Sequence, residues 1–270
     1  MKIGVFDSGV GGLTVLRALL EHVPAEYAYL GDTARLPYGA KSRETVARYA
    51  VSSARFLVEE EGAEFLVIAC NTASALALDA IREAVAVPVL GVVETGANAA
   101  DASSTTRDVL VIATAATVES HAYTAACAER KLRAIEKACP LLVPLVEEGW
   151  IESPVTAEVL RIYMAELMEQ ARGAGLDADT LVLGCTHYPL LRAQIEKAVP
   201  ATLRVIDSAE ATAEQVARMG AGSRELGAGG QEPGASVRFF ATDSVTKFRA
   251  LGSRFLGRSI EDVRLVDLGG

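Results

Sequence analysis

The sequence predicts an α/β protein with mainly parallel strands, and two observations carry that expectation. Short apolar runs rich in β-branched residues alternate with longer segments of helical period, the order in which helices connect parallel strands. The second observation is an internal echo. Phe65-Leu66-Val67-Ile68-Ala69-Cys70-Asn71-Thr72 is matched by Leu181-Val182-Leu183-Gly184-Cys185-Thr186-His187, two strand-like runs that each end in cysteine. Lys2 to Leu13 and Asp108 to Ser120 echo one another too, each passing from an apolar run into a turn of small and hydroxyl residues that opens a helix. Two comparable α/β lobes explain both echoes. A ligand then belongs between them, at the carboxyl ends of the strands, where open parallel sheets place their sites.

In chain order, the apolar runs predict strands at Lys2 to Phe6, Tyr27 to Leu30, Phe65 to Ala69, Val87 to Val92, Asp108 to Ala113, Thr180 to Gly184, Leu203 to Ile206 and Val237 to Ala241. Helical period predicts Leu13 to Glu21, Arg43 to Glu60, Ala73 to Ala84, Pro154 to Arg172, Leu190 to Ala198 and Ala209 to Met219. Gly220 to Ser236 is glycine-rich and reads as a mobile surface loop before a final strand and helix.

Half of the 270 residues are apolar and 23% are charged, enough to bury a core and too balanced for disorder. Twenty-six basic against 35 acidic side chains give a net charge of -9, which repels phosphate backbones and anionic lipid. Neither nucleic acid nor a membrane is an expected partner. No apolar stretch reaches the roughly 18 residues of a spanning helix, and the amino end meets Asp7 too soon for a signal peptide, so a cytoplasmic protein is expected. Cys70, Cys127, Cys139 and Cys185 form no C-x-x-C pair, which suggests reduced thiols rather than disulfides or a zinc ribbon.

Five segments carry candidate chemistry. Phe6-Asp7-Ser8-Gly9-Val10-Gly11-Gly12-Leu13 is a strand end turning through glycines into a helix. It reads either as an anion site of dinucleotide type, with Asp32 about twenty residues on but Thr14 at the third glycine position, or as a helix capped by Asp7 or Ser8. Cys70-Asn71-Thr72 and Cys185-Thr186-His187 each stand where a strand turns into a helix, whose N-terminus favours a thiolate. A single cysteine in an apolar run is more often a small core residue; two with polar neighbours at matching strand ends favour chemistry. Cys127 and Cys139 lie in alanine-rich sequence read as helical and are assigned to the core.

His187 is two residues beyond Cys185, a spacing that in extended backbone puts imidazole and thiol on one side. Gly31 to Gly39, with a turn at Pro37 and Gly39, offers either carboxylate-binding amides or a plain connection. Glu147, in Val146-Glu147-Glu148-Gly149-Trp150, either orients a histidine or is an exposed helix-end carboxylate. Zinc held by Asp7, Cys70, Cys185 and His187 matches no known spacing, and a Cys-His hydrolase leaves Cys70, Asn71 and Thr72 without a role. Two thiols facing across a cleft suit removal of a proton from one face of a carbon and return of a proton to the other. A thiol's ordinary pKa of roughly 8.5 lets both forms be reached near neutrality.

Taken together, Phe6 to Leu16, Tyr29 to Gly39, Ala69 to Ala75, Pro144 to Gly149 and Leu181 to Leu191 resemble, in order and spacing, the motifs of the glutamate racemase family. The cysteine segments are the most specific part, and the similarity spans nearly the whole chain. One departure is Ala113, where related sequences often carry glycine. The resemblance implies two pseudosymmetric lobes, residues 1–93 with 207–270 and residues 94–206, enclosing glutamate in the cleft between them. It implies a cofactor-independent, metal-free isomerase that supplies D-glutamate for peptidoglycan, and a homodimer. On the same basis Cys70 exchanges the proton with D-glutamate and Cys185 with L-glutamate. Asp7 assists Cys70; His187, supported by Glu147, assists Cys185. Ser8, Tyr38, Gly39, Asn71, Thr72 and Thr186 hold the carboxylates and amine, with Thr114 and Thr117 as further contacts.

Three other readings remain at this point. An enzyme of the same architecture acting on aspartate or another acidic amino acid keeps the two-thiol chemistry. A two-lobed, non-catalytic binding protein for an acidic metabolite needs the hydroxyl cradle but neither cysteine. A nicotinamide-dependent dehydrogenase rests on the glycine turn and Asp32 alone.

Overall fold

In the computed structural model, residues 1–221 and 236–269 are described. They build two parallel sheets. The strands are β1 (Lys2–Asp7), β2 (Glu26–Gly31), β3 (Phe65–Ile68), β4 (Val89–Gly91), β5 (Asp108–Ala113), β6 (Arg133–Ala138), β7 (Thr180–Gly184), β8 (Arg204–Asp207), β9 (Ser236–Ala241) and β10 (Val263–Leu265). One sheet runs β10-β9-β2-β1-β3-β4 and the other β6-β5-β7-β8, with every neighbouring pair parallel.

The helices are α1 (Leu13–His22), α2 (Arg43–Arg55), α3 (Asn71–Ala84), α4 (Val92–Ser103), α5 (Ala115–Glu119), α6 (Ala122–Glu129), α7 (Leu142–Glu147), α8 (Pro154–Gly173), α9 (Arg192–Ala198), α10 (Ser208–Ala221) and α11 (Val245–Leu256). A π-helical turn, Phe56–Glu60, extends α2. α4 carries the chain from the first sheet to the second, and α10 follows the last strand of the second. None of the described helices is long and apolar enough to cross a membrane.

Alternation along the central strands explains how both faces are covered. Ile3 and Val5 of β1 join a core that also holds Leu110 and Ile112 of β5 and Leu181 and Leu183 of β7. Phe6 points the other way, into a cluster with Tyr38, Val46, Ala50 and Cys70. Val109 and Val111 likewise face away from Leu110 and Ile112, against Ala97, Tyr123 and Cys127. Successive side chains on a strand point to opposite faces, so unbroken apolar runs are what strands buried on both sides require.

Several expectations are corrected. β6 was not anticipated because Arg133, Glu136 and Lys137 break its apolar pattern at a sheet edge, and Cys139 follows this strand rather than lying in a helix. β10, also at an edge, is only three residues long. The predicted helix at Leu190 to Ala198 divides into a 3-10 turn, Tyr188–Leu191, and α9. α4 to α7 are short or rich in alanine and small residues, which blurs helical period. Of the predicted glycine-rich loop, Gly220 belongs to α10 and Ser236 to β9, and residues 222–235 lie outside the described residues.

Candidate active site

The site is built from the carboxyl ends of β1, β3, β5 and β7, where each strand gives way to a turn or helix. Cys70, 5% exposed, is the N-cap of α3. Its Sγ accepts from the Ala73 amide at 3.4 Å and donates to the Ser8 hydroxyl at 3.4 Å. Burial, with the neighbouring Asp7 carboxylate, pushes the thiol up to about 12.

Asp7, at the end of β1, is 1% exposed and accepts from the Gly9 amide at 2.8 Å. Burial raises its carboxyl, against the pull of His187 and of the Gly9 and Gly12 amides. α1 starts from Gly12 without a side-chain cap, so the expectation that Asp7 or Ser8 caps this helix is not met; Asp7 holds the preceding turn instead. The dinucleotide reading fails as well. Asp32 is fully buried and its oxygens already accept from Arg35, Thr242 and the Tyr38 hydroxyl. A ribose hydroxyl has no place there.

Cys185, 6% exposed, follows β7. His187 has helical rather than extended backbone, so the expected strand geometry does not apply; the turn itself brings His187 Nδ1 to 4.0 Å from Cys185 Sγ. Its Nε2 lies 3.2 Å from Glu147 Oε1 at the end of α7, and its ring packs edge-on to Phe255 with centroids 4.9 Å apart. Burial disfavours the imidazolium, but the partnerships with Cys185 and Glu147 win and lift His187 to about 10. The same bond holds the Glu147 carboxyl below its ordinary range. Glu147 is therefore a histidine partner, not a free helix-end carboxylate.

Gly11 explains how closely the two sheet ends approach. A Cβ there would stand 2.2 Å from Thr186 Oγ1 and 2.6 Å from His187 Nδ1, so any side chain would push the Cys185 segment away. Nearby, Thr14 Oγ1 donates to the Thr186 carbonyl at 3.2 Å. On the other flank, Thr72, Thr114 and Thr117 bring three hydroxyls together, at 3.0 Å, 3.4 Å and 2.9 Å. Gly39 lies against Thr114. Asn71 is 3% exposed; its Oδ1 accepts from the Tyr123 hydroxyl at 2.7 Å, and its Nδ2 has no partner.

The structure brings the expected residues together in groups around the candidate site: Asp7, Ser8 and Cys70; Cys185, Thr186, His187 and Glu147; and Gly39, Thr72, Thr114 and Thr117. Asp7 joins the first two groups, since its charge acts on both Cys70 and His187. Cys127 and Cys139 are fully buried, with thiols pushed up to about 11 and 12 by burial; Cys127 shares a core cluster with Tyr123, and Cys139 lies near enough to Cys185 to feel its charge. Among the described residues, Asp7, Cys70, Cys185 and His187 do not gather as a metal would require; the grouping with ligand atoms within 4.8 Å is Glu21, His22 and Glu210, all exposed. A surface groove of about 630 Å³, between α4, β8 and α10, lies outside the thiol cluster. A smaller one of about 110 Å³ reaches Glu147 from the side of Lys247 and Phe248.

Tyr123, Phe255 and Arg254 also contact residues of the candidate site; the Arg254 guanidinium donates to the carbonyls of Val146 at 3.1 Å and Glu147 at 3.4 Å. Only their contacts mark them; no local motif does.

Residues 3–216 match the Asp/Glu/hydantoin racemase family. The chain is similar to the glutamate racemase of Koribacter versatilis, 53% identical over 99% of this chain and 98% of that protein. Among solved structures it is similar to the glutamate racemase of Francisella tularensis in complex with D-glutamate (33% identity, TM-score 0.88, 99% and 97% of the two chains). It is also similar to that of Thermus thermophilus in complex with β-chloro-D-alanine (44% identity, TM-score 0.85, 99% and 97%). With two parallel sheets, a buried thiol at a matching strand end of each, and a family match across most of its length, the chain belongs to the Asp/Glu/hydantoin racemases.

Proposed function

We propose that this enzyme interconverts L- and D-glutamate by a two-base transfer between Cys70 and Cys185, and supplies D-glutamate for peptidoglycan. The observation that carries the reading is the pair of buried thiols at echoing strand ends, each beside its own acid–base partner. Cys185 takes the α-proton of L-glutamate while Cys70 gives a proton to the opposite face; the reverse reaction exchanges the roles. Asp7 receives and returns the proton of Cys70, and His187, held by Glu147, serves Cys185.

The α-proton of a carboxylate is weakly acidic, so the carbanion needs fixed donors in a water-poor site. Thr72, Thr114, Thr117, Thr186 and Ser8, the amide of Asn71, and the turn at Tyr38 and Gly39 are the proposed donors to the carboxylates and amine. Both thiols are nearly out of reach of solvent, so substrate entry requires the lobes to separate. We assign the moving bodies to residues 1–93 with 207–270 and to residues 94–206, hinged where α4 and α10 cross between the sheets. Four free, buried cysteines fit a reducing, cytoplasmic setting. A second copy of the chain is the proposed partner for the exposed Leu141, Trp150, Val155 and Ile162 of the α7–α8 region; a monomer in sedimentation would refute that assignment.

The test is to replace Cys70 and Cys185 singly with serine and measure racemisation of glutamate and of aspartate. Wild type is expected to prefer glutamate, and each variant to lose racemisation by roughly 10²- to 10⁴-fold, the usual worth of a positioned acid–base group. Near-wild-type turnover in either serine variant would remove that base. Glutamate binding without exchange of the α-hydrogen with solvent in wild type would favour the non-catalytic binding protein.

A further inference from the structure

Tyr123 stands in α6, outside every segment that carries a motif, and is fully buried. Two glycines clear the space for its ring. A Cβ on Gly96 of α4 would come within 3.1 Å of the phenol oxygen, and a Cβ on Gly184 would meet the ring at 2.9 Å. Gly184 immediately precedes Cys185, while the phenol donates its 2.7 Å bond to Asn71, which immediately follows Cys70. One side chain therefore touches the backbone beside one thiol and fixes the residue beside the other.

That bond decides which way the Asn71 amide faces. A terminal amide presents a carbonyl and an NH2 group of nearly the same shape, and its surroundings select the orientation. Burial keeps the Tyr123 phenol protonated, and the Ser208 side chain donates to its oxygen. With its acceptor side met by Ser208, the hydroxyl gives its own hydrogen to Asn71, and that hydrogen selects Oδ1. Nδ2 is then left with two N–H groups, buried and unmatched by any protein acceptor. Such an arrangement is unfavourable unless something else supplies an oxygen.

We propose that Tyr123 is a positioning residue: by holding the Asn71 carbonyl, it presents Asn71 Nδ2 as a donor to a carboxylate oxygen of the amino acid bound beside Cys70. The inference rests on the racemase reading above. It also links substrate binding to lobe contact, because the bond joins α3, beside the first sheet, to α6, beside the second.

Steady-state kinetics with both enantiomers test it in wild type, Tyr123→Phe, Asn71→Ala, Asn71→Asp and the Tyr123→Phe/Asn71→Ala double variant. Phenylalanine keeps the ring and removes only the hydroxyl. KM is expected to rise roughly tenfold in Tyr123→Phe with kcat changed much less, as for loss of an interaction made equally in ground and transition states. In the Asn71→Ala background the tyrosine change is expected to add nothing to KM. Asn71→Asp keeps an acceptor for the phenol but loses the donor, so its KM is expected to rise at least as far; this arm stands even where Tyr123→Phe fails to fold. Unchanged KM in Tyr123→Phe or Asn71→Asp, a fall confined to kcat, or effects of the two sites that multiply would overturn the inference while leaving the racemase intact. A wild type that does not racemise glutamate would overturn the racemase reading, and this inference with it.

Discussion

The two thiols occupy echoing positions, yet the charges around them differ. Cys70 faces the Asp7 carboxylate, and burial with that negative neighbour keeps its proton on. Cys185 faces His187, which Glu147 helps to keep charged up to about pH 10. The backbone repeats; the electrostatics does not. On the proposed assignment, the protonated Cys70 half is the one ready to give a proton, the half-reaction that makes D-glutamate from L-glutamate. The same assignment has the reverse direction begin by moving the Cys70 proton to Asp7. The raised carboxyl of Asp7 makes it a stronger base for that step than an exposed aspartate.

The largest expected effect that sharpens this contrast is in isotope exchange. With racemisation lost, Cys70→Ser still exchanges the α-hydrogen of L-glutamate in deuterated water, and Cys185→Ser still exchanges that of D-glutamate. Exchange of the opposite handedness, followed by NMR, would reverse the assignment of the two faces.

Next in size is Asp7→Asn, for which we expect a fall of about 10²-fold in kcat/KM, the low end for a lost proton acceptor. The enantiomers are equal in free energy, so kcat/KM must fall equally in both directions. The asymmetry is expected in kcat alone, with the D-to-L direction slowed more. Equal losses of kcat would show that Asp7 does not discriminate between the thiols.

His187→Gln removes the charge on the other side. For stability the sign follows from the raised pKa: the folded protein binds this proton more tightly than the unfolded chain does. The stabilisation is fully present below the ordinary value of 6.5 and is lost as pH rises through about 10. Denaturant titrations from pH 6 to 10 are expected to show declining stability in wild type and a flatter profile in His187→Gln; identical profiles would sink the assignment. The smallest effect is expected from Glu147→Gln, which keeps the shape and removes the charge. A loss of about tenfold or less, with the basic limb of the pH–rate profile moved to lower pH, fits a residue that acts through His187.

Much of this was legible in one dimension. The strands β1, β3, β5 and β7 are buried on both faces and read as unbroken apolar runs, and each ends in or just before residues of the candidate site. The partnership of Cys185 with His187 was anticipated from spacing, although the backbone between them turns rather than extends. Glu147 could not be separated from a solvated helix end without its distance to His187. Tyr123 was invisible because α6 carries small residues on all sides, and a tyrosine among alanines has no signature until Asn71 arrives from 52 residues away in sequence. The edge strands β6 and β10 escaped because an edge buries less and tolerates charge.

Sequence alone determined the parallel α/β class, the two cysteine-ending strands and the kind of chemistry they suit, because apolar period and residue type are local properties of the chain. Tertiary structure alone decided which charge stands beside each thiol, which way Asn71 faces and how tightly Gly11 lets the halves close. Those are differences of an ångström or a single hydrogen bond between residues distant in the chain, and such differences leave no period or spacing to read.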